Sequence, residues 1–349
     1  MSRLAAHGLV REFRLPGRSR RHPLRAVSDV SLELHAGETV ALVGESGSGK
    51  STVARILARL DTPDAGTILL DGQPATPGRR GLRHHHRQVQ IVFQDPFASL
   101  NPFHTVDHHL RRPLRLHHPA LGRAEEDERI HHLLDRVNLV PAGRVAAAHP
   151  HELSGGQRQR VAIARALACR PGVLLADEPV SMLDVSIRLE ILRLLDRLRA
   201  EDDLAVLYIT HDLATARHFA HRILVMYRGE LVESGPSDAV ILDPRHPYTR
   251  LLAAAAPDPR RRGTSALAGP DLPVTRVEVP GGTDAGGCPF LDRCPQAMPR
   301  CRLRPPLVPL GGGRTARCWL HAADTDPAGS PPGPATTRPP APPTARPDP

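Results

Sequence analysis

Residues 44 to 51 read Gly44-Glu45-Ser46-Gly47-Ser48-Gly49-Lys50-Ser51, the spacing G-x-x-x-x-G-K-[ST] of a phosphate-binding loop. Glycines let backbone N–H groups approach anionic oxygens. Ser51 offers a hydroxyl to Mg²⁺, and Lys50 reaches between β- and γ-phosphates. Lys50 is the one lysine among 46 basic residues, the others all being arginine. A compact ammonium fits inside a tight backbone nest where a planar guanidinium would not. The flanks agree. Thr39-Val40-Ala41-Leu42-Val43 predicts a buried strand, and Thr52-Val53-Ala54-Arg55-Ile56-Leu57 predicts the start of a helix whose dipole favours phosphate. The stretch implies a site for a nucleoside triphosphate, with Gly44 through Thr52 as its phosphate contacts.

Further along, Val173-Leu174-Leu175-Ala176-Asp177-Glu178 is an apolar run ending in two carboxylates. A strand of that kind presents both acids at the carboxyl edge of a sheet, beside the phosphate loop. There Asp177 is expected to hold the Mg²⁺ shell and Glu178 to polarise an attacking water. Other expected strands are 89–93, 173–176 and 205–209. Strands and helices alternate to about residue 235, the pattern of a parallel sheet with crossover helices. A polar helical stretch interrupts it over about 95–165, with Ala124 to Val137 the clearest helix. Beyond residue 236 the strand signal fades. Residues 280–321 are rich in Gly, Pro and Cys, and residues 331–349 hold nine prolines, a composition that predicts a disordered tail over 322–349.

The protein has 349 residues, 40% hydrophobic, with a formal net charge of +9. The positive balance fits an acidic partner, a membrane surface or nucleic acid, although dispersed arginine reads first as a solvated face. Arg18-Ser19-Arg20-Arg21-His22 reads as an exposed loop between early strands. No run approaches the roughly 20 apolar residues that span a bilayer, and the N-terminus lacks the apolar segment of a signal peptide. A cytoplasmic protein that reaches a membrane through partners is the expectation. Twenty histidines include the runs His84-His85-His86, His108-His109, His117-His118 and His131-His132. Neighbours on a helix point about 100° apart, poorly placed for chelation, so these read as solvated surface.

Leu153-Ser154-Gly155-Gly156-Gln157 is a second anion-binding turn, a hydroxyl and glycine amides opening a helix from Gln157 to Ala168. Two copies placed head to tail, each closing the other's site, would use both nests. Here the sequence resembles the ATP-binding cassette (ABC) ATPases, whose signature reads LSGGQ. The resemblance covers about residues 1–235 and implies an α/β fold: a RecA-like phosphate-loop core with an inserted helical subdomain. It implies that Ser154, Gly155, Gly156 and Gln157 close the partner's ATP site. Gln94 matches the Q-loop, implying contact with Mg²⁺ or water and with a membrane-subunit helix. Ser181-Met182-Leu183-Asp184 matches the D-loop, and His211 the switch histidine that senses γ-phosphate. Phe13 stands where the family usually stacks a tyrosine on adenine.

Two phrases, Phe93-Gln94-Asp95-Pro96-Phe97-Ala98-Ser99-Leu100-Asn101-Pro102 and Arg245-His246-Pro247-Tyr248-Thr249-Arg250-Leu251-Leu252, resemble the oligopeptide/dipeptide/nickel importers. There the first lies by the coupling interface and the second opens a C-terminal extension, here 236–321. Met182 departs from the alanine of many relatives, which leaves oligosaccharide import as an alternative to peptide import; nickel import is another alternative within the same family. The implied partners are transmembrane permease subunits, a second cassette of the same or another kind and, indirectly, an extracytoplasmic solute-binding protein. That assembly sits on the cytoplasmic face of the plasma membrane, without nucleic acid. The runner-up class is a non-transport cassette ATPase acting on ribosomes or DNA. Translation and excision-repair members usually carry two cassettes in one chain, and this sequence has one phosphate loop.

Cys288, Cys294, Cys301 and Cys318 cluster in the extension, with five, six and sixteen residues between them. In a reducing compartment, clustered cysteines point to a metal before disulfides. The segment Cys288-Pro289-Phe290-Leu291-Asp292-Arg293-Cys294-Pro295 resembles the importer tail that carries a [4Fe–4S] cluster in some relatives. Such a cluster, zinc and reduced free thiols are the three readings.

Overall fold

The computed structural model describes residues 2–14, 24–255 and 286–322. The basic loop at 18–22 and the proline-rich tail from 323 lie outside the described residues. In chain order the strands are β1 (Ser2–Phe13), β2 (Leu24–His35), β3 (Thr39–Val43), β4 (Ala65–Leu70), β5 (Gln73–Pro74) and β6 (Val89–Val92). They continue with β7 (Val173–Asp177), β8 (Ala205–Thr210), β9 (Arg222–Tyr227), β10 (Glu230–Pro236), β11 (Leu307–Gly311) and β12 (Arg314–Arg317). The first helices are α1 (Lys50–Leu57), α2 (Gly78–Gln88), α3 (Pro96–Ser99), α4 (Val106–His117), α5 (Arg123–Arg136) and α6 (Ala142–Ala147). After them come α7 (Gly155–Leu167), α8 (Val185–Asp202), α9 (Leu213–Phe219), α10 (Ser237–Leu242) and α11 (Pro247–Ala255).

Every residue of β3, β7 and β8 is buried, as expected of strands covered on both faces. They sit centrally in an eight-stranded sheet of order β11-β12-β10-β9-β3-β8-β7-β6. The five strands from β9 to β6 run parallel, and β10, β12 and β11 add antiparallel to their edge. Alternate residues of one strand feed different layers. In β8, Val206 and Tyr208 join the apolar cluster that includes the helical insertion. Ala205, Leu207 and Ile209 join the one that contains α1 and the small antiparallel sheet β2-β1-β4-β5. Among the described residues no helix is long and apolar enough to cross a membrane.

The helical insertion, α3 to α7, packs Val106, Leu110 and Leu114 of α4 against Ile130, Leu133 and Leu134 of α5, rows spaced three and four residues apart. Arg111 is buried between these helices and pairs with Asp107, Glu126 and Asp127. Arg115 and then Arg111 pull the Glu126 carboxyl down to about 2.

Several expectations shift. The helix expected over 124–137 is α5, one residue earlier at each end. The helix expected from Gln157 begins at Gly155, because Ser154 is its N-cap. The strand expected over 89–93 stops at Val92, leaving Phe93 in the turn before Gln94. The alternation of strand and helix starts only at β3, after β1 and β2 have paired antiparallel with register shifts. The extension also contains strands: β12 pairs with β10 through Glu233↔Ala316 and Ser234↔Thr315, so the main sheet continues into it.

The histidine runs divide by helix geometry. His85 and His109 point inward and are buried, while His84 and His108 are exposed. This corrects the all-surface expectation for these two. His85 Nε2 lies 2.7 Å from the Leu57 carbonyl oxygen, and burial pushes its pKa down to about 4. His246, equally enclosed, is pushed down to about 3 by burial, with His321 and Arg250 adding to it. A depressed folded pKa means that the unfolded chain binds the proton first. The stability these two provide is complete above about pH 6.5 and is lost as pH falls towards 4. The melting temperature is therefore expected to drop by roughly 5 °C across that window, and by less in His85→Gln. A flat profile in the wild type would contradict the buried neutral state.

Candidate nucleotide site at the carboxyl edge of the sheet

Because β3, β8 and β7 are parallel, their carboxyl ends lie side by side. Val43 pairs with Thr210, and Asp177 with Ile209. The segments that follow these strands carry Gly44, His211 and Glu178, and Gln94 follows β6 at the same edge. The phosphate loop threads between backbone walls. A Cβ on Gly44 would lie 2.1 Å from the Met226 carbonyl oxygen, and one on Gly49 (φ 104°) 2.1 Å from that of Ala26. Neither position admits a side chain. Lys50 is 5% exposed, and its Nζ donates to the carbonyl oxygens of Gly44 at 2.8 Å and Glu45 at 2.9 Å. Burial lowers its pKa, opposed by the carboxylates of Glu178, Asp177 and Glu45.

Ser51 Oγ donates to Asp177 Oδ1 at 3.1 Å. Burial raises the Asp177 pKa, as does the neighbouring Glu178, while Ser51 and Lys50 act the other way. Glu178 stands in the left-handed region at φ 45°, an unfavourable conformation for a residue with a side chain. Its N–H donates to the Ile209 carbonyl at 3.0 Å, which holds the turn. The carboxylate is shared. Gln94 Nε2 donates to Oε2 at 3.0 Å, and His211 Nδ1 lies 3.3 Å from Oε1. An open cavity of about 600 Å³ is walled by Phe13, Ser46, Gly47, Gly49, Lys50, Ser51 and Thr52, and by Gln94, Glu178 and His211. Leu24 and Ala26 on β2 also line it and were missed by sequence reasoning. Their signal is tertiary, since β1–β2 pairing sets Leu24 opposite Phe13.

The signature residues are not on this cavity. Ser154 Oγ accepts the Gln157 N–H at 3.3 Å and Gln157 Oε1 accepts the Ser154 N–H at 2.9 Å, a reciprocal cap on α7. Gly155 and Gly156 form its first turn, and a Cβ on Gly156 would meet Ile187 at 2.8 Å. Asp184 is the N-cap of α8, without a side-chain cap bond.

The four clustered cysteines come together at the base of the extension. The Cys288 N–H donates to the Cys301 carbonyl at 2.8 Å. Burial, with the Cys301, Cys318 and Cys294 thiols adding to it, pushes the Cys288 thiol up to about 12. Cys288 and Cys301 belong to the apolar cluster of Phe290 and Tyr248. Among the described residues no group of three or more His, Cys, Asp or Glu side chains is arranged to hold a metal ion. Burial raises the Cys294 and Cys318 thiols as well, whereas a metal ligand must be a thiolate.

Comparison with known proteins agrees with this geometry. The sequence model of the ABC transporter family matches residues 27–181, and that of the oligopeptide/dipeptide transporter C-terminal region matches residues 232–301. A probable peptide ABC transporter ATP-binding protein of Sinorhizobium fredii is 45% identical over 302 residues, 86% of this chain and 83% of the relative. The di/tripeptide transport ATP-binding protein DppF of Pseudomonas aeruginosa is 42% identical, covering 84% and 90% of the two chains. Among solved structures, the cassette MJ0796, dimeric and bound to ADP and Pi in a post-hydrolysis state, superposes with a TM-score of 0.60 at 32% identity. It covers 67% of this chain and 98% of its own. Identity of this order along most of both chains, over a phosphate loop and acidic edge built as described, makes this protein a member of the ABC transporter family, one of its ATP-hydrolysing cassettes.

Proposed function

We propose that this cassette powers the import of a di- or oligopeptide through separate transmembrane permease subunits, as one of two cassettes on the cytoplasmic face of the plasma membrane. The observation that carries the proposal is the match of residues 232–301 to the oligopeptide/dipeptide transporter C-terminal region, on a cassette whose Gln94 and His211 converge on the Glu178 carboxylate in the cavity that Lys50 lines. A nucleic-acid role has no comparable support. The relatives at 42–45% identity are named for peptide transport, which supports peptide over oligosaccharide or nickel. An extracytoplasmic solute-binding protein would deliver the cargo.

In this reading Lys50 and the amides from Ser46 to Thr52 hold the phosphates, and Phe13 stacks on the base. Ser51 and Asp177 supply hard oxygen donors 3.1 Å apart, suited to Mg²⁺, and Gln94 completes that set. When bound, Mg²⁺ neutralises charge on the β- and γ-phosphates. Glu178, held between Gln94 and His211, accepts a proton from the attacking water, and His211 reads the γ-phosphate. Ser154, Gly155, Gly156 and Gln157 serve the partner cassette's site, with Asp184 at the seam. The rigid turn after Gln94 contacts the permease. Asp95 accepts from the amides of Phe97 and Ala98, leaving Phe97 and Phe103 exposed.

In Glu178→Gln, ATP binding is expected to persist while hydrolysis falls at least ~100-fold. Near-normal turnover would remove Glu178 from the role of base. The same variant, tagged and recovered with ATP from detergent-solubilised native membranes, should bring multi-span proteins and a second cassette. Ribosomal proteins or DNA in their place would replace importer with the non-transport class. For the cysteines, the geometry supports reduced thiols that pack the extension. Protein purified without oxygen should carry no stoichiometric iron, acid-labile sulfide or zinc, and a brown, iron-loaded preparation would overturn that reading.

A further inference from the structure

The extension reaches the phosphate loop at a residue the mechanism leaves unused. Glu45, second in that loop, is held on two sides by residues that follow the main domain in sequence. Its N–H donates to the Tyr248 hydroxyl at 2.9 Å. Its carboxylate receives both arms of Arg293, with Nη1 to Oε2 and Nη2 to Oε1 each at 3.0 Å. The Glu45 carbonyl in turn accepts from Lys50 Nζ at 2.9 Å and from the Ser48 N–H at 3.2 Å. Three polar groups of one loop residue are thus committed, two to the extension and one to the phosphate-binding lysine.

The anchors are themselves well fixed. Tyr248 is fully buried, its ring 4.5 Å from that of Tyr227 and 5.5 Å from that of Phe290. Its own N–H donates to His246 Nδ1 at 3.1 Å. Arg293 lies over the rings of Tyr227 and Phe290, at 5.8 and 5.7 Å from their centroids, and donates to the Tyr227 hydroxyl at 3.4 Å. Behind it, Asp292 pairs with Arg228 at 3.7 Å. A fork-shaped guanidinium on a carboxylate fixes orientation as well as distance.

We propose that Tyr248 and Arg293 are positioning residues for the nucleotide site: by holding Glu45 they pre-shape the phosphate loop, so that the C-terminal extension sets the affinity for MgATP. A loop already ordered gives up less conformational freedom when phosphate binds. The coupling is reciprocal, and nucleotide binding must tighten the hold on the extension by the same factor. The two contacts differ in weight. The Arg293–Glu45 pair is about two-fifths exposed on each side, so solvent and salt weaken it, whereas the Tyr248 hydroxyl acts from a buried ring.

The inference rests on the ATP-hydrolysing reading of the site, and full-length protein tests the two separately. MgATP binding, KM, kcat and melting temperature are measured for the wild type, Tyr248→Phe, Arg293→Gln and the exchange Glu45→Arg/Arg293→Glu. Tyr248→Phe keeps the packed ring and is expected to raise Kd and KM about fivefold, the effect of one lost hydrogen bond, with kcat within about twofold. Arg293→Gln is expected to raise them about twofold in low salt and to match the wild type near ~0.5 M salt. Arg293→Glu, measured alongside, is expected to weaken binding more than Arg293→Gln, and the exchange to recover part of that loss. Variants that bind MgATP like the wild type in low salt, or that only lower the melting temperature, would overturn the strap while leaving the nucleotide site standing. A wild type that binds no MgATP would remove the site itself.

Discussion

Parallel strands put their carboxyl ends at one edge, and the cavity around Lys50 opens at that edge. The pairs Val43↔Thr210 and Asp177↔Ile209 fix which residues emerge beside one another. A shift of register by one residue would turn the buried faces of β3, β7 and β8 around, and would separate Ser51 from Asp177. The complete burial of these strands makes such a shift prohibitive, so the site inherits its precision from the core beneath it. Ligand sites in open α/β sheets favour this edge for the same reason.

At that edge one ammonium faces three carboxylates. Lys50 is buried with its ammonium directed to two loop carbonyls, and the carboxylates of Glu178, Asp177 and Glu45 favour its charged form against the penalty of burial. Repulsion from Glu178 adds to burial in raising the Asp177 pKa. A divalent cation beside Ser51 and Asp177 would relieve that repulsion. The left-handed backbone at Glu178 is a local strain maintained by the Ile209 carbonyl, and it directs the carboxylate between Gln94 and His211.

The extension is tied into this arrangement from two directions. Its hairpin β11–β12 continues the main sheet through β10, and its aromatic knot of Phe290 with Tyr248 and Tyr227 lies behind the phosphate loop. Of the cysteines expected as metal ligands or free thiols, Cys288 and Cys301 share the apolar cluster of that knot and Cys294 packs against it. A segment rich in Gly, Pro and Cys therefore acquires order by packing on the cassette, where local propensity alone would not supply it.

Much of the site was legible in the amino-acid sequence, because each motif encodes a local backbone shape. The run from Gly44 to Ser51, the acids at 177 and 178, and the helix-opening Ser154 all owe their form to residues within a few positions. Resemblance assigned Gln94, His211 and Phe13, and the folded chain brings them to the cavity that Lys50 lines. Sequence alone determined these pieces and their order. Only the tertiary structure decided that β1 and β2 form a separate antiparallel sheet and that the extension adds strands to the main one. It also decided that His85 and His109 face inward, that Leu24 and Ala26 wall the cavity, and that Arg293 reaches Glu45. Those outcomes join residues as far as 248 positions apart. They depend on register and on which faces the core covers, and no short window of sequence carries that information.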